Sequence, residues 1–178
     1  MKTTLAVLLT ATLLTPLFAS ADSTYVFFRH GEKPDNESGP LTCKGLNRAL
    51  SLPSVLLGRY GTPDALYASA PKQKKLGSSL RPLTTLTPLA IQVSKPIDLR
   101  FHADQTDKLV TELLAMKPVP LTFFSWEHKN LVTAARTLVK NSGGDATLVP
   151  SWPSADFDSI YVVKLDDQQR FKSFSRES

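Results

Sequence analysis

The chain has 178 residues and a formal net charge of +5, with 42% hydrophobic and 21% charged residues. This composition is typical of a folded domain and excludes an intrinsically disordered chain. Cys43 is the only cysteine, which excludes an intramolecular disulfide and a cysteine cluster for zinc or iron–sulfur. The basic residues are dispersed, and because no run of them resembles a nucleic-acid-binding arm, we expect no nucleic-acid partner.

The first 21 residues have the anatomy of a secretory signal peptide. Lys2 gives a positive start, residues 5–18 are almost wholly apolar, and residues 19–21 form a small-x-small cleavage site. The apolar stretch is too short to span a membrane comfortably, because a spanning helix needs about 20 residues. We therefore expect cleavage near Ala21, a single domain over residues 22–178 without a transmembrane anchor, and a periplasmic or secreted location.

The first half of the mature chain alternates short strands with helices. Residues 23–28 are β-branched or aromatic and predict a buried strand. A helix is expected over residues 42–50, with Pro53 breaking or restarting it. Residues 65–68 predict a second strand, and residues 84–93 predict a helix with a defect at Pro88.

The second half continues the same alternation. A third strand is predicted over residues 97–99, and Asp104 is the expected N-cap of a helix over residues 105–116. Residues 121–126 predict a fourth strand, and the apolar spacing of residues 131–139 predicts a further helix. The last predicted strand covers residues 159–165, so the whole pattern favours a three-layer α/β fold.

Charged and histidine side chains follow three of these strands. Arg29 and His30 follow the first strand, Arg81 comes one loop after the second, and Glu127 and His128 follow the fourth. Ligands of open α/β sheets bind at the carboxyl ends of the strands. Arginine offers a fork of donors that suits phosphate oxygens, and a neutral imidazole nitrogen can attack phosphorus. These residues predict a site for phosphoryl transfer.

Other chemistries fit the sequence less well. There is no Gly-x-Ser-x-Gly turn of a serine hydrolase, no Gly-x-Gly-x-x-Gly after the first strand, and no Walker-type loop. The three histidines lack a spacing such as His-Glu-x-x-His. We therefore expect neither a metal nor an organic cofactor.

Several segments, taken in order, resemble the histidine phosphatase superfamily, also called the phosphoglycerate mutase-like family. The segment at residues 28–32 resembles its Arg-His-Gly signature, and residues 157–162 are similar to the final strand of a small bacterial exported subgroup. The segments between them match the family's helix starts, its Ser-x-Pro segment and the segment of its second histidine: residues 41–49, 67–71, 81–85 and 126–128.

The resemblance implies a mixed sheet between two layers of helices, without the large lid domain of the phytase-like branch. It implies that His30 accepts the phosphoryl group and that Arg29, Arg81 and His128 bind phosphate. The activity it implies is metal-independent hydrolysis of phosphate monoesters, in a phosphorylated small molecule or a component of the cell envelope. Three alternatives remain: a weak or inactive protein that binds phosphorylated ligands, a phosphomutase, and a phosphatase of phosphohistidine in proteins.

The sequence departs from the family pattern at the proton donor. Many relatives carry a carboxylic acid after the third strand or directly after the second histidine, but Lys129 follows His128 here. Glu127 is the first candidate for the acid, Glu32 is an alternative as acid or as substrate contact, and Asp104 is a further alternative for the acid. The segment between Ser69 and Arg81 is also longer than in the compact family motif.

Overall fold

The computed structural model describes residues 22–36, 39–72 and 79–178, so the predicted signal peptide lies outside the described residues. Within this part of the chain, no helix is long and apolar enough to cross a membrane. Five strands and four helices follow one another in the order β1 (Ser23–Arg29), α1 (Cys43–Tyr60), β2 (Ala65–Ala68), α2 (Arg81–Val93), α3 (Thr106–Ala115), β3 (Leu121–Trp126), α4 (His128–Asn141), β4 (Ile160–Leu165) and β5 (Phe171–Glu177).

The strands form one mixed sheet in the order β2-β3-β1-β4-β5. The strands β2, β3 and β1 run parallel, whereas β4 and β5 are added antiparallel. Three carboxyl ends therefore meet at one edge of the sheet, with β3 between β2 and β1. This arrangement positions the residues that follow β1, β2 and β3.

Apolar side chains are buried on both faces of the sheet. Along β1, Tyr25 and Phe27 pack with α3 and α4, while Val26 and Phe28 pack on the opposite face with α1 and α2. Because the side chains of a strand alternate between its two faces, a strand between two helical layers is apolar at nearly every position. The predicted three-layer α/β/α architecture is confirmed, and the described residues contain no large inserted lid.

Two helices are longer than predicted. The prediction that Pro53 breaks or restarts the first helix is wrong, because α1 runs without interruption from Cys43 to Tyr60. Pro53 is buried inside it, and although proline removes one backbone hydrogen bond, the packed apolar face keeps the helix together. In the same way α2 passes through Pro88 and begins at Arg81, three residues earlier than expected.

Three further expectations need correction. Residues 97–99 do not form a strand: their pairing is a single bridge between Tyr67 and Asp98, whose carboxylate turns back to Arg100. Asp104 is not an N-cap, because its carboxylate lies 2.5 Å from Lys72 Nζ and α3 begins at Thr106. The edge strand β5 was not predicted, since it is polar and largely exposed.

Candidate active site

A cleft of about 270 Å³ opens at the carboxyl ends of the parallel strands. Its walls include His30 after β1, Ser69 after β2, Arg81 at the start of α2, and Glu127 and Asn130 at the start of α4. The fold thus brings His30, Arg81 and Glu127 together, although they are far apart in sequence.

The loop after β1 is fixed by contacts to its backbone. The His30 N–H donates to the Trp126 carbonyl at 3.0 Å, and the Gly31 N–H donates to Thr85 Oγ1 at 2.9 Å. A Cβ atom on Gly31 would lie 2.6 Å from the carbonyl oxygen of Gly45 in α1, a distance that carbon and oxygen do not tolerate. Only glycine at position 31 allows α1 to approach this loop so closely.

His30 is held as a neutral imidazole of defined tautomer. Its Nδ1 lies 2.7 Å from the Gly31 carbonyl oxygen, and because a carbonyl only accepts, the proton resides on Nδ1. Burial, assisted by the charges of Arg81 and Arg29, lowers the pKa of His30 to about 4. The lone pair on Nε2 is therefore available at neutral pH, as a nucleophile requires.

Arg81 is tied to the same loop through Thr85. The Thr85 hydroxyl donates to the Arg81 carbonyl at 2.8 Å and accepts from the Gly31 N–H. Thr85 is fully buried. The four-residue spacing of this arginine and threonine places them one helical turn apart, so one hydroxyl joins the start of α2 to the loop that carries His30.

The Arg29 side chain, which was predicted to bind phosphate, is held by contacts within the protein. Its Nη1 donates to the backbone carbonyls of Ser154 and Asp156, at 2.7 and 3.0 Å, and its guanidinium stacks 3.7 Å from the centre of the Phe157 ring. The side chain is almost fully buried and lines a groove beside α1 instead of the cleft. Its positive charge acts on His30, but a direct contact with phosphate stays a prediction.

Glu127 and His128 lie together at the start of α4. Glu127 is the N-cap, and its Oε2 accepts from the Asn130 N–H at 3.0 Å. Its Oε1 lies 2.7 Å from His128 Nδ1, and the two groups form an ion pair when the imidazole is protonated. Burial lowers the pKa of His128, and the nearby Glu127 carboxylate opposes that shift. His128 stands beside the cleft, and Glu127 is the member of the pair that lines it.

Glu32 is not suited to donate a proton to a substrate. Its two oxygens accept from Arg48 at 2.8 to 3.2 Å, and Lys44 Nζ lies 3.5 Å away. Burial acts to raise the pKa of Glu32, but the hydrogen bonds and charges of these partners outweigh it and hold the pKa below its usual range. The side chain faces α1, away from the cleft lining, so its predicted role as acid or substrate contact is not supported.

Asp104 does line the cleft, but it is paired with Lys72. The hydrogen bond from Lys72 holds the pKa of Asp104 below its usual range, which disfavours the protonated form. Both side chains are about half exposed. Glu127 is accordingly the better candidate for the acid among the three carboxylates.

Sequence reasoning did not identify Asn130 or the carbonyl groups that hold Arg29. Asn130 stands three residues after Glu127, which is the spacing of a helix cap and its N3 position, so that signal was present. The contacts of Arg29 to Ser154 and Asp156 join residues more than 120 positions apart, and no sequence pattern marks them. The described residues contain no group of three or more histidine, cysteine or carboxylate side chains that could hold a metal ion.

The sequence matches no protein-family model and no curated protein, whereas the fold resembles several solved structures. A proposed phosphohistidine phosphatase SixA from Nakamurella multipartitia has a TM-score of 0.62 at 15% identity, over 89% of this chain and 96% of that one. A proposed alpha-ribazole-5'-P phosphatase from Escherichia coli has a TM-score of 0.62 at 14% identity, over 87% and 94%. A phosphoserine phosphatase from Entamoeba histolytica has a TM-score of 0.61 at 14% identity, over 88% and 97%.

The chain has the fold of the histidine phosphatase superfamily. The resemblance drawn from the sequence motifs is thereby confirmed at the level of the fold. Identities of 14 to 15% do not carry substrates from these proteins to this chain.

Proposed function

We propose that this chain is a phosphatase that hydrolyses phosphate monoesters through a phosphohistidine intermediate on His30. The observation that carries the proposal is a buried, neutral His30 whose Nδ1 proton is bound to a carbonyl, in a cleft shared with Arg81 and Glu127. The histidine phosphatase fold and the phosphatase names of its structural neighbours support the same reaction class.

In the first step, His30 Nε2 attacks phosphorus as the bond from phosphorus to the ester oxygen breaks. The departing oxygen takes a proton from the Glu127 carboxyl group, so an alcohol leaves. The Arg81 guanidinium offsets the charge on the transferring phosphoryl oxygens, with Arg29 and His128 adding positive charge or hydrogen bonds nearby. The step needs no cofactor, because the protein supplies both nucleophile and acid.

In the second step, water attacks the phosphohistidine. The Glu127 carboxylate takes a proton from that water, the bond between phosphorus and Nε2 breaks, and inorganic phosphate leaves. His30 returns to its neutral form, and Glu127 is again protonated for the next cycle. The same carboxyl group thus acts first as acid and then as base.

The proposed place of action is the periplasm or the outside of the cell, on the basis of the signal-peptide pattern in residues 1–21. The proposed substrate is a phosphorylated small molecule or a component of the envelope. The positive net charge, +4 once Lys2 is removed, and Arg81 in the cleft lining favour an anionic ligand, whereas Lys72 in that lining is paired with Asp104.

The test is phosphate release from p-nitrophenyl phosphate by residues 22–178, with EDTA present. We expect turnover in the wild type and a loss of at least about 10⁴-fold in His30→Ala, because no other group replaces the nucleophile. His102→Gln is the matched control, since His102 is half-buried and is not itself part of the cleft lining, although its Nδ1 lies 3.3 Å from the carbonyl oxygen of Ala70, which is. Equal turnover in His30→Ala would refute the role of His30. Phosphate binding without turnover would favour a ligand-binding protein.

A further inference from the structure

The Glu127 carboxylate is held by Asn130 through two separate donors. Oε2 accepts from the Asn130 backbone N–H at 3.0 Å and from its side-chain Nδ2 at 2.9 Å. The side-chain amide can be assigned without ambiguity, because only its NH₂ group can donate to a carboxylate oxygen. One residue therefore binds the same oxygen with both its backbone and its side chain.

The two oxygens of Glu127 consequently have different tasks. With Oε2 occupied by two N–H donors, a transferable proton has its place on Oε1. Oε1 is also the oxygen that lies 2.7 Å from His128 Nδ1. A free carboxylate would rotate about its terminal bond and exchange the two oxygens, since such torsions are broad.

We propose that Asn130 is a positioning residue, whose side-chain amide fixes Glu127 with Oε1 against His128 and so makes the carboxylate and the imidazole one unit. The proposal rests on the proposed function for its catalytic meaning, but the geometric claim about Glu127 and His128 can be tested without turnover. Asn130 itself lines the cleft and is half-buried, so the amide lies beside the substrate site.

The local structure allows the side-chain contact to be removed on its own. In Asn130→Ala the backbone N–H at position 130 still caps α4, because that bond does not involve the side chain. Alanine is also the strongest helix former. The variant should therefore fold, and it releases one of the two donors that hold Glu127.

The readout is the pKa of His128, which is measured by an NMR titration of its imidazole. The charged groups that act on His128 are Glu127, Arg29, Lys129 and Lys33, and Glu127 is the one among them that favours the protonated ring. If the amide fixes the orientation of Glu127, its loss lets the carboxylate turn about its remaining bond to the backbone N–H, so that Oε1 spends less time beside His128 and the pKa of His128 falls. We expect a decrease of about 0.5 to 1 unit in Asn130→Ala, in the same direction as in Glu127→Gln.

A double variant, Asn130→Ala with Glu127→Gln, shows whether Asn130 acts on the pKa of His128 through Glu127 or independently of it. In the Glu127→Gln background, Asn130→Ala should change the pKa of His128 by less than about 0.2 unit, because there is no carboxylate left to position. Asn47→Ala is the matched control, since Asn47 is exposed on α1, and it should leave His128 unchanged.

Either of two results would overturn the proposal: an unchanged pKa of His128 in Asn130→Ala, or equal shifts in the presence and absence of Glu127. Turnover of p-nitrophenyl phosphate is measured in the same samples. A wild type without turnover would count against the proposed function and leave the titration result standing. With turnover, we expect kcat to fall by about 10-fold or more in Asn130→Ala while KM changes little.

Discussion

The carboxyl ends of β1 and β3 lie side by side in the sheet, yet they hold their functional groups in different ways. At the end of β1, His30 is 4% exposed, and its loop is fixed by backbone hydrogen bonds and by the glycine contact to α1. At the end of β3, Glu127 and His128 have side chains that are 30% and 13% exposed, held by a helix cap and by each other.

The difference follows from the tasks that we propose for the two ends. A nucleophile must meet phosphorus at a fixed position, and contacts to the backbone fix it without depending on side-chain rotamers. A proton donor must change protonation state in each cycle, which is easier for a partly solvated carboxyl group held by side-chain contacts. The β1 end should therefore tolerate few substitutions, and the β3 end should tolerate changes that alter rate more than stability.

After the loss of turnover in His30→Ala, the largest expected effect is on rate, at the β3 end. Glu127→Gln should lower kcat by about 10² to 10⁴-fold for an alkyl phosphate, the usual contribution of a general acid, and by less for p-nitrophenyl phosphate, whose leaving group needs no proton. The melting temperature should change by only a few degrees, because the glutamine carbonyl still accepts from the Asn130 N–H. Steady-state kinetics and a thermal melt check this. Loss of folding in Glu127→Gln would contradict the expectation that substitutions at the β3 end alter rate more than stability.

The next effect is on stability, at the β1 end. His30 has a pKa of about 4 when folded against an ordinary value of 6.5, so between these values the unfolded chain takes up a proton that the folded chain does not. Above the ordinary value there is no contribution, and as pH falls toward 4 this group alone removes about 3 kcal/mol of folding free energy. Urea unfolding at pH 7 and pH 4.5 should show a smaller loss in His30→Ala than in the wild type.

The smallest expected effect comes from a single methyl group. Gly31→Ala should lower the free energy of unfolding by about 2 kcal/mol, because the new Cβ meets the Gly45 carbonyl at 2.6 Å. Gly58→Ala is the matched control. Gly58 lies in α1, the helix that also contains Gly45, and has open space around it, so alanine there should stabilise the protein by about 0.5 to 1 kcal/mol. Equal effects in denaturant unfolding would show that the close approach does not constrain the β1 loop.

The sequence predicted the three-layer fold because its signals are local. The run of apolar residues Tyr25, Val26, Phe27 and Phe28 predicts a strand buried on both faces, even when the helices that pack on those faces are unknown. The helix-breaking tendency of Pro53 is equally local, and it misled because tertiary packing outweighed it. The edge strand β5 was not predicted because its only two apolar residues, Phe171 and Phe174, are separated by polar ones, and because its pairing with β4 is what orders it.

The site was predictable in its residues but not in their contacts. His30, Arg81 and Glu127 could be named because they follow strands whose carboxyl ends meet. The pairing of Glu32 with Arg48 could not, since it depends on how α1 packs against the loop. The bonds from Arg29 to the backbone of Ser154 and Asp156 are also beyond sequence patterns, because any residue offers a carbonyl group.

The most direct test of the central claim is to trap the covalent intermediate. Residues 22–178 are mixed with p-nitrophenyl phosphate, quenched in alkali within milliseconds, digested and analysed by mass spectrometry. We predict a phosphoryl group on the peptide that contains His30, stable in alkali and lost in acid, and absent in His30→Ala. Turnover with the phosphoryl group on another residue, or with equal labelling in His30→Ala, would contradict the account.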